Sequence, residues 1–155
     1  MPDKLIGVTV SASEVHVVLL TKNGTNDFTL DDQTTMNVQK GDRPEAYNTL
    51  HGQFSDYVRQ HRVKSVCIKG SAVSLGGTTL AHLQAAELRG VVEAAAAAAG
   101  AEVRLMTKAT ASRNFGTRKV DEYLKDDTYW QDIDLQDLKK KMREAAFAAI
   151  YGFSV

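Results

Sequence analysis

The period of the hydrophobic positions changes along this chain. Leu5-Ile6-Gly7-Val8-Thr9-Val10 and Glu14-Val15-His16-Val17-Val18-Leu19-Leu20 are short apolar runs on either side of Ser11-Ala12-Ser13. Runs of this length, rich in β-branched residues and bounded by small polar ones, predict two strands and a tight turn. Lys22-Asn23-Gly24 signals a second turn. Residues 27–38 alternate weakly through Phe28, Leu30, Met36 and Val38, which predicts a third strand interrupted near Asp31-Asp32. The three segments fit an antiparallel meander.

The period then lengthens. Tyr47, Leu50, Phe54, Tyr57 and Val58 recur at helical spacing behind a candidate cap at Asp42 and a first-turn Pro44. Val63 to Ile68 reads as a strand buried on both faces, followed by a polar loop through Thr79. Leu80 to Ala99 predicts a second helix, with Thr78 or Thr79 as cap and Gly100 as stop. Its six consecutive alanines, Ala94 to Ala99, let a neighbouring element approach closely. Glu102 to Met106 predicts the next strand, and Thr107 opens a short helix to Asn114. Residues 115–132 read as polar and irregular. The final helix is expected from Asp134 to Tyr151, burying Leu135, Leu138, Met142, Ala145, Ala149 and Ile150. Lys139, Lys140, Lys141 and Arg143 are placed around its exposed part. The order β-β-β-α-β-α-β-α-α, without repeat or linker, predicts one domain over residues 1–155.

Composition adds limits. The 155 residues are 43% hydrophobic and 25% charged, as in an ordinary globular domain. The formal net charge of +0 gives no global attraction to nucleic acid or to an anionic membrane. No apolar run reaches the ~18 residues that span a bilayer, and Met1-Pro2-Asp3-Lys4 has no apolar signal core. The expected location is cytoplasmic, with no membrane partner. The single Cys67 excludes an internal disulfide and a Cys-rich zinc site, and a small buried side chain is its expected role. His16, His51, His61 and His82 form no His-x3-His or His-Glu-x-x-His pattern. The loop at 70–79 lacks the Gly-x4-Gly-Lys-[Ser/Thr] phosphate-binding pattern, so a nucleotide or small-molecule site there is the weakest reading. No cofactor is expected.

The opening strand-turn-strand resembles that of the RNase H-like folds, including the RuvC-type nucleases. Cys67-Ile68-Lys69, a loop, and His82-Leu83-Gln84-Ala85-Ala86-Glu87-Leu88-Arg89-Gly90-Val91-Val92 resemble the RuvC-type resolvases. A closer resemblance is to a small bacterial family of RNase H-like proteins with a degenerate active site, through the Gly-Val opening, the Ile-Lys after the fourth strand, the Gly-Gly loop and the Ala-rich ending. The resemblance spans most of residues 5–152. It implies an α/β fold with a mixed five-stranded sheet, strands one to three antiparallel, and helices on both faces.

The resemblance also locates the chemistry. RuvC-type cleavage needs about four carboxylates around two Mg²⁺ ions. The first-strand position is Thr9, the fourth-strand position falls at or beside Lys69, and the last-helix positions fall near Lys141 and Glu144. Only Glu144 is acidic, so no catalytic residue and no metal ligand set is expected. A shifted register would be needed to bring in Glu14, Asp121 or Glu122. A separate cluster, Arg104, Lys108, Arg113, Arg118 and Lys119, precedes Tyr123, Tyr129 and Trp130. Basic and aromatic side chains together suit a protein interface or a nucleic-acid surface. The interleaved acids favour protein, with Arg118, Tyr123, Tyr129 and Trp130 as anchors. The expected function is therefore a non-catalytic adaptor, regulator or inhibitor, with bacterial immunity or conflict as one setting. A metal-dependent nuclease or branched-DNA-binding protein is the alternative, and a homodimer is left open.

Overall fold

The computed structural model describes residues 2–70 and 78–154. Five strands form one sheet: β1 (Asp3–Val10), β2 (Glu14–Gly24), β3 (Asp27–Asn37), β4 (Ser65–Lys69) and β5 (Glu102–Met106). Their order across the sheet is β3-β2-β1-β4-β5. β1, β2 and β3 pair antiparallel, while β4 runs parallel to β1 and β5 parallel to β4. The expected interruption of β3 is a bulge. Leu19 pairs with Asp32 and Leu20 with Leu30, which leaves Asp31 as the extra residue. Its carboxylate accepts from Lys4 at 3.0 Å and from the Thr21 hydroxyl. The β2–β3 turn falls two residues beyond the expected one, with Asn26 at φ 56.

Helices cover both faces. α1 (Arg43–Gln60) and α2 (Leu80–Ala98) pack on one, where Ile6, Val8, Val15, Val17, Leu19, Val66 and Ile68 meet Leu50, Phe54, Val58, Leu88 and Val92. Thr79 caps α2. Its hydroxyl accepts from the His82 amide at 3.2 Å, and His82 Nδ1 accepts from the Thr79 amide. The alanine run divides: Ala95 and Ala96 are buried, whereas Ala94, Ala97 and Ala98 face solvent. Replacing Ala95 by leucine should therefore overpack this layer and cost roughly 1–3 kcal/mol. Ala98→Leu should melt like the parent in a thermal scan, and equal melting of both variants would place the sheet-facing side of α2 elsewhere.

The other face is covered by α3 (Lys108–Asn114), α4 (Val120–Lys125), α5 (Asp127–Asp132), a 3-10 turn at Lys140–Met142 and α6 (Arg143–Ser154). The long terminal helix is thus replaced by two segments. Asp134 takes φ 59 and Lys139 is extended, so the chain turns twice before α6 begins. Leu135, Leu138, Met142, Ala145, Ala149 and Ile150 are all buried as expected, but not along one helix. α6 lies very close to the sheet because its contacts fall on glycine. Gly7 of β1 faces the Ala145 carbonyl, and Gly152 faces Cys67 of β4. Burial pushes the Cys67 thiol up to about 12, in keeping with a small core side chain.

Candidate functional site at the end of the sheet

Side-chain alternation puts Leu5, Gly7 and Thr9 of β1 on the α6 face, along with Cys67 and Lys69 of β4. Gly7 pairs with Cys67 in the parallel register. Continued by two residues, that register sets Thr9 beside Lys69 at the carboxyl ends of the strands. α6 starts at the same end, and its second residue is Glu144. Lys69 Nζ lies 3.1 Å from Glu144 Oε1. Lys108, in the first turn of α3, lies 3.2 Å from Glu144 Oε2 and 2.9 Å from Asp121 Oδ1. The result is a chain of alternating charge: Lys69, Glu144, Lys108, Asp121.

The physical state of this chain follows from its contacts. The hydrogen bond from Lys108 holds the Asp121 carboxyl below its ordinary range, and the same bond holds the Lys108 ammonium above its own. Both groups are thus charged across the neutral range. Lys69 and Glu144 are about three-quarters covered, at 28% and 25% side-chain exposure, whereas Lys108 and Asp121 are more open at 40% and 63%. The four charges cancel locally, yet the outermost groups remain within reach of an incoming ion.

Three of the four positions expected to cluster do so by placement: Thr9, Lys69 and Glu144. Lys141 does not join them, because it sits exposed in the 3-10 turn before α6. Asp121, expected at the site only in a shifted register, shares Lys108 with Glu144. Lys108 is the member expected in a different, basic cluster. The signal for it is the pairing of Lys69 with Met106, which sets residue 108 just past the end of β5. Parallel register cannot be read from composition. Glu14 turns to His16 Nε2 at 3.2 Å, and His16 Nδ1 pairs with Thr35 Oγ1 at 3.0 Å. Among the described residues, no group of three His, Cys, Asp or Glu side chains is placed to hold a metal ion. Residues 71–77, the centre of the 70–79 loop read as a nucleotide or small-molecule site, lie outside the described residues.

Two of the expected interface anchors, Trp130 and Tyr123, are corrected by burial. Trp130 is 0% exposed and Tyr123 is 7% exposed. The Trp130 indole Nε1 donates to the Tyr123 carbonyl at 2.9 Å, and its ring meets Tyr129 edge-on at 5.3 Å. Tyr123 in turn packs against Phe115 and Phe147. This aromatic cluster is core because α4 and α5 fold residues 120–132 back onto α6, where an irregular polar stretch was expected. Tyr129 is half-buried among the same rings, and burial pushes its phenol up to about 12. Arg118 is spent internally as well: it pairs with Asp126 at 2.9 Å and lies 4.3 Å above the Tyr123 ring. Arg143, expected outside, is 9% exposed. Its guanidinium donates to the Leu124 carbonyl and to Asp127, tying α6 to α4 and α5.

Similarity to solved structures follows this geometry. Thermus thermophilus RuvC superposes with a TM-score of 0.75 at 13% identity, covering 96% of this chain and 92% of that one. The chain is built on the RuvC-type RNase H-like fold. A second T. thermophilus RuvC structure, in complex with a Holliday junction substrate, gives a TM-score of 0.73 at 11% identity, with coverage of 96% and 91%. The yeast mitochondrial Holliday junction resolvase Ydc2 gives 0.61 at 9% identity, covering 96% of this chain and 77% of that one. Neither a protein-family model nor a curated protein matches the chain. Within the RuvC-type fold, the charge chain lies at the carboxyl ends of β1 and β4. Among the described residues no helix is long and apolar enough to cross a membrane.

Proposed function

We propose that this chain binds nucleic acid on a RuvC-type scaffold, holding phosphate with Lys69 and Lys108, without two-metal cleavage. The observation that carries the proposal is the pair of ammonium groups flanking Glu144. Ammonium groups at a sheet end attract the phosphate backbone, which dominates nucleic-acid affinity. The likeness to a RuvC bound to a Holliday junction, over 96% of this chain, supports branched DNA as the first ligand to test.

The residues present do not fit a divalent-cation centre. Hard cations want several oxygen ligands, and Glu144 already neutralises two lysines. A cation there would also face Lys69. Two unit charges ~4 Å apart repel by roughly 4 kcal/mol at an effective dielectric of 20. The adaptor reading is less well supported, because the anchors chosen for its partner surface are core or internally paired.

The test is fluorescence anisotropy with a four-way junction and a linear duplex across a salt series. Affinity should fall as salt rises, and Lys69→Ala and Lys108→Ala should each reduce the slope by about one. Glu144→Gln discriminates further. Removing a negative charge between the lysines should tighten binding by about 1 kcal/mol, about fivefold. Metal-dependent cleavage that Glu144→Gln abolishes would overturn the proposal, as would no binding at low salt.

A further inference from the structure

Glu14, His16 and Thr35 make a polar chain of their own, and strand register builds it. Glu14 and His16 stand two residues apart on β2, so their side chains share a face. Thr35 of β3 is the direct partner of His16. The Val38 amide donates to the Ser13 carbonyl at 2.8 Å. That pair is therefore hydrogen-bonded, and by alternation His16 and Thr35 form a non-hydrogen-bonded pair, the kind in which side chains stand closest. His16 Nε2 lies 3.2 Å from Glu14 Oε1, and His16 Nδ1 lies 3.0 Å from Thr35 Oγ1.

The donor directions follow from the three groups. An ionised carboxylate offers only acceptors, so Glu14 draws the imidazole hydrogen to Nε2. Nδ1 then keeps its lone pair, and the Thr35 hydroxyl donates to it. A carboxylate orienting an imidazole, which in turn accepts from a hydroxyl, is the arrangement that activates an alcohol as a nucleophile. The chain is reachable from solvent: Glu14 and His16 keep 40% and 18% side-chain exposure, and Thr35 is half-buried. β3 is the edge of the sheet, and the same alternation points the Thr35 amide off that edge, away from β2. A backbone donor thus stands beside the hydroxyl. Lys69 is three strands away, roughly 14 Å at the usual strand spacing.

We propose that this chain hydrolyses acyl esters, with Thr35 as nucleophile, His16 as general base and Glu14 as a positioning residue. Thr35 Oγ1 attacks the ester carbonyl while its proton passes to His16 Nδ1. The Thr35 amide donates to the carbonyl oxygen as that oxygen gains charge. The bond from the acyl carbon to the alcohol oxygen breaks, and the alcohol leaves with the proton from Nδ1. An ester of Thr35 remains. Water then attacks the same carbon and gives a proton to Nδ1. The bond to Thr35 Oγ1 breaks, Oγ1 takes that proton back, and the carboxylic acid departs.

The test is turnover of p-nitrophenyl acetate by the full chain, measured beside free imidazole at equal concentration. The parent should exceed imidazole by roughly 100-fold, the lower end of what a positioned base supplies. Thr35→Val keeps the branched shape without the hydroxyl and should lose that excess, as should His16→Gln. Thr35→Ser should retain it, which separates loss of the hydroxyl from loss of the fold. Thr34→Val, on the opposite face of β3, should turn over like the parent. Glu14→Gln should lower kcat by roughly tenfold with KM unchanged, a split that a merely structural role does not produce. Acid quenching followed by mass spectrometry should find the acetyl group on Thr35. A parent no faster than imidazole would overturn the proposal. So would Thr35→Val turning over like the parent, or acetyl groups on lysines alone. None of these readouts depends on nucleic-acid binding.

Discussion

Gly7→Val should leave no cooperative folding transition. A β-carbon at residue 7 would overlap the Ala145 carbonyl oxygen and lie 2.8 Å from the Ala149 nitrogen. Those neighbours are helix backbone and cannot rotate away as a side chain tip could. To admit the new atoms, α6 must lift off β1, and the closely packed interior that it forms with β1, β2 and β4 opens with it. The expected loss exceeds about 4 kcal/mol, a large part of the stability of a domain this size. The measurement is urea unfolding followed by circular dichroism, with Gly52→Ala alongside. Gly52 lies inside α1 with nothing within 4 Å of an added β-carbon, and alanine there should gain about 0.5–1 kcal/mol. A Gly7→Val chain unfolding like the parent would refute the packing of α6 on β1.

Trp130→Ala should cost about 3–5 kcal/mol, the usual range for emptying a fully buried tryptophan site. The variant removes ring contacts with Tyr129 and leaves the Tyr123 carbonyl without the indole donor. Trp130→Phe should recover part of the packing but not that hydrogen bond, and so fall between the two. Because Trp130 is the only tryptophan, the parent's intrinsic fluorescence reports this site directly. Its emission should shift to the red in step with global unfolding by circular dichroism. A Trp130→Ala chain of parental stability that has lost a binding partner would return this residue to a surface role.

The fold was legible where local chemistry and tertiary packing agree. Thr79, Gly100 and Thr107 end or begin helices as their side chains and backbone freedom dictate, and β4 and β5 fall within two residues of the expected runs. Legibility failed where burial is shared by separate segments. The spacing of Leu135, Leu138 and Met142 fits one helix, but Asp134 at positive φ and the extended Lys139 divide it. The same loss affected Tyr123 and Trp130. Their neighbours in sequence are charged, so the stretch looks solvated, while short helices α4 and α5 turn their aromatic side inward. At the candidate site, Thr9, Lys69 and Glu144 could be placed by resemblance. Lys108 could not, because only the β4–β5 register carries it to Glu144.

The close seating of α6 has a kinetic consequence. The sheet face made by β1 and β2 is covered by an element about 140 residues further along the chain. Until α6 arrives, Leu5, Val18 and Leu20 are apolar side chains without a cover. Closing so long a loop is slow relative to forming α1 or the β1–β2 hairpin. Wherever the earlier elements assemble before α6 docks, one face of the sheet is finished while the other is bare. During that stage a chaperone, or another unfinished copy, competes with the chain's own last helix.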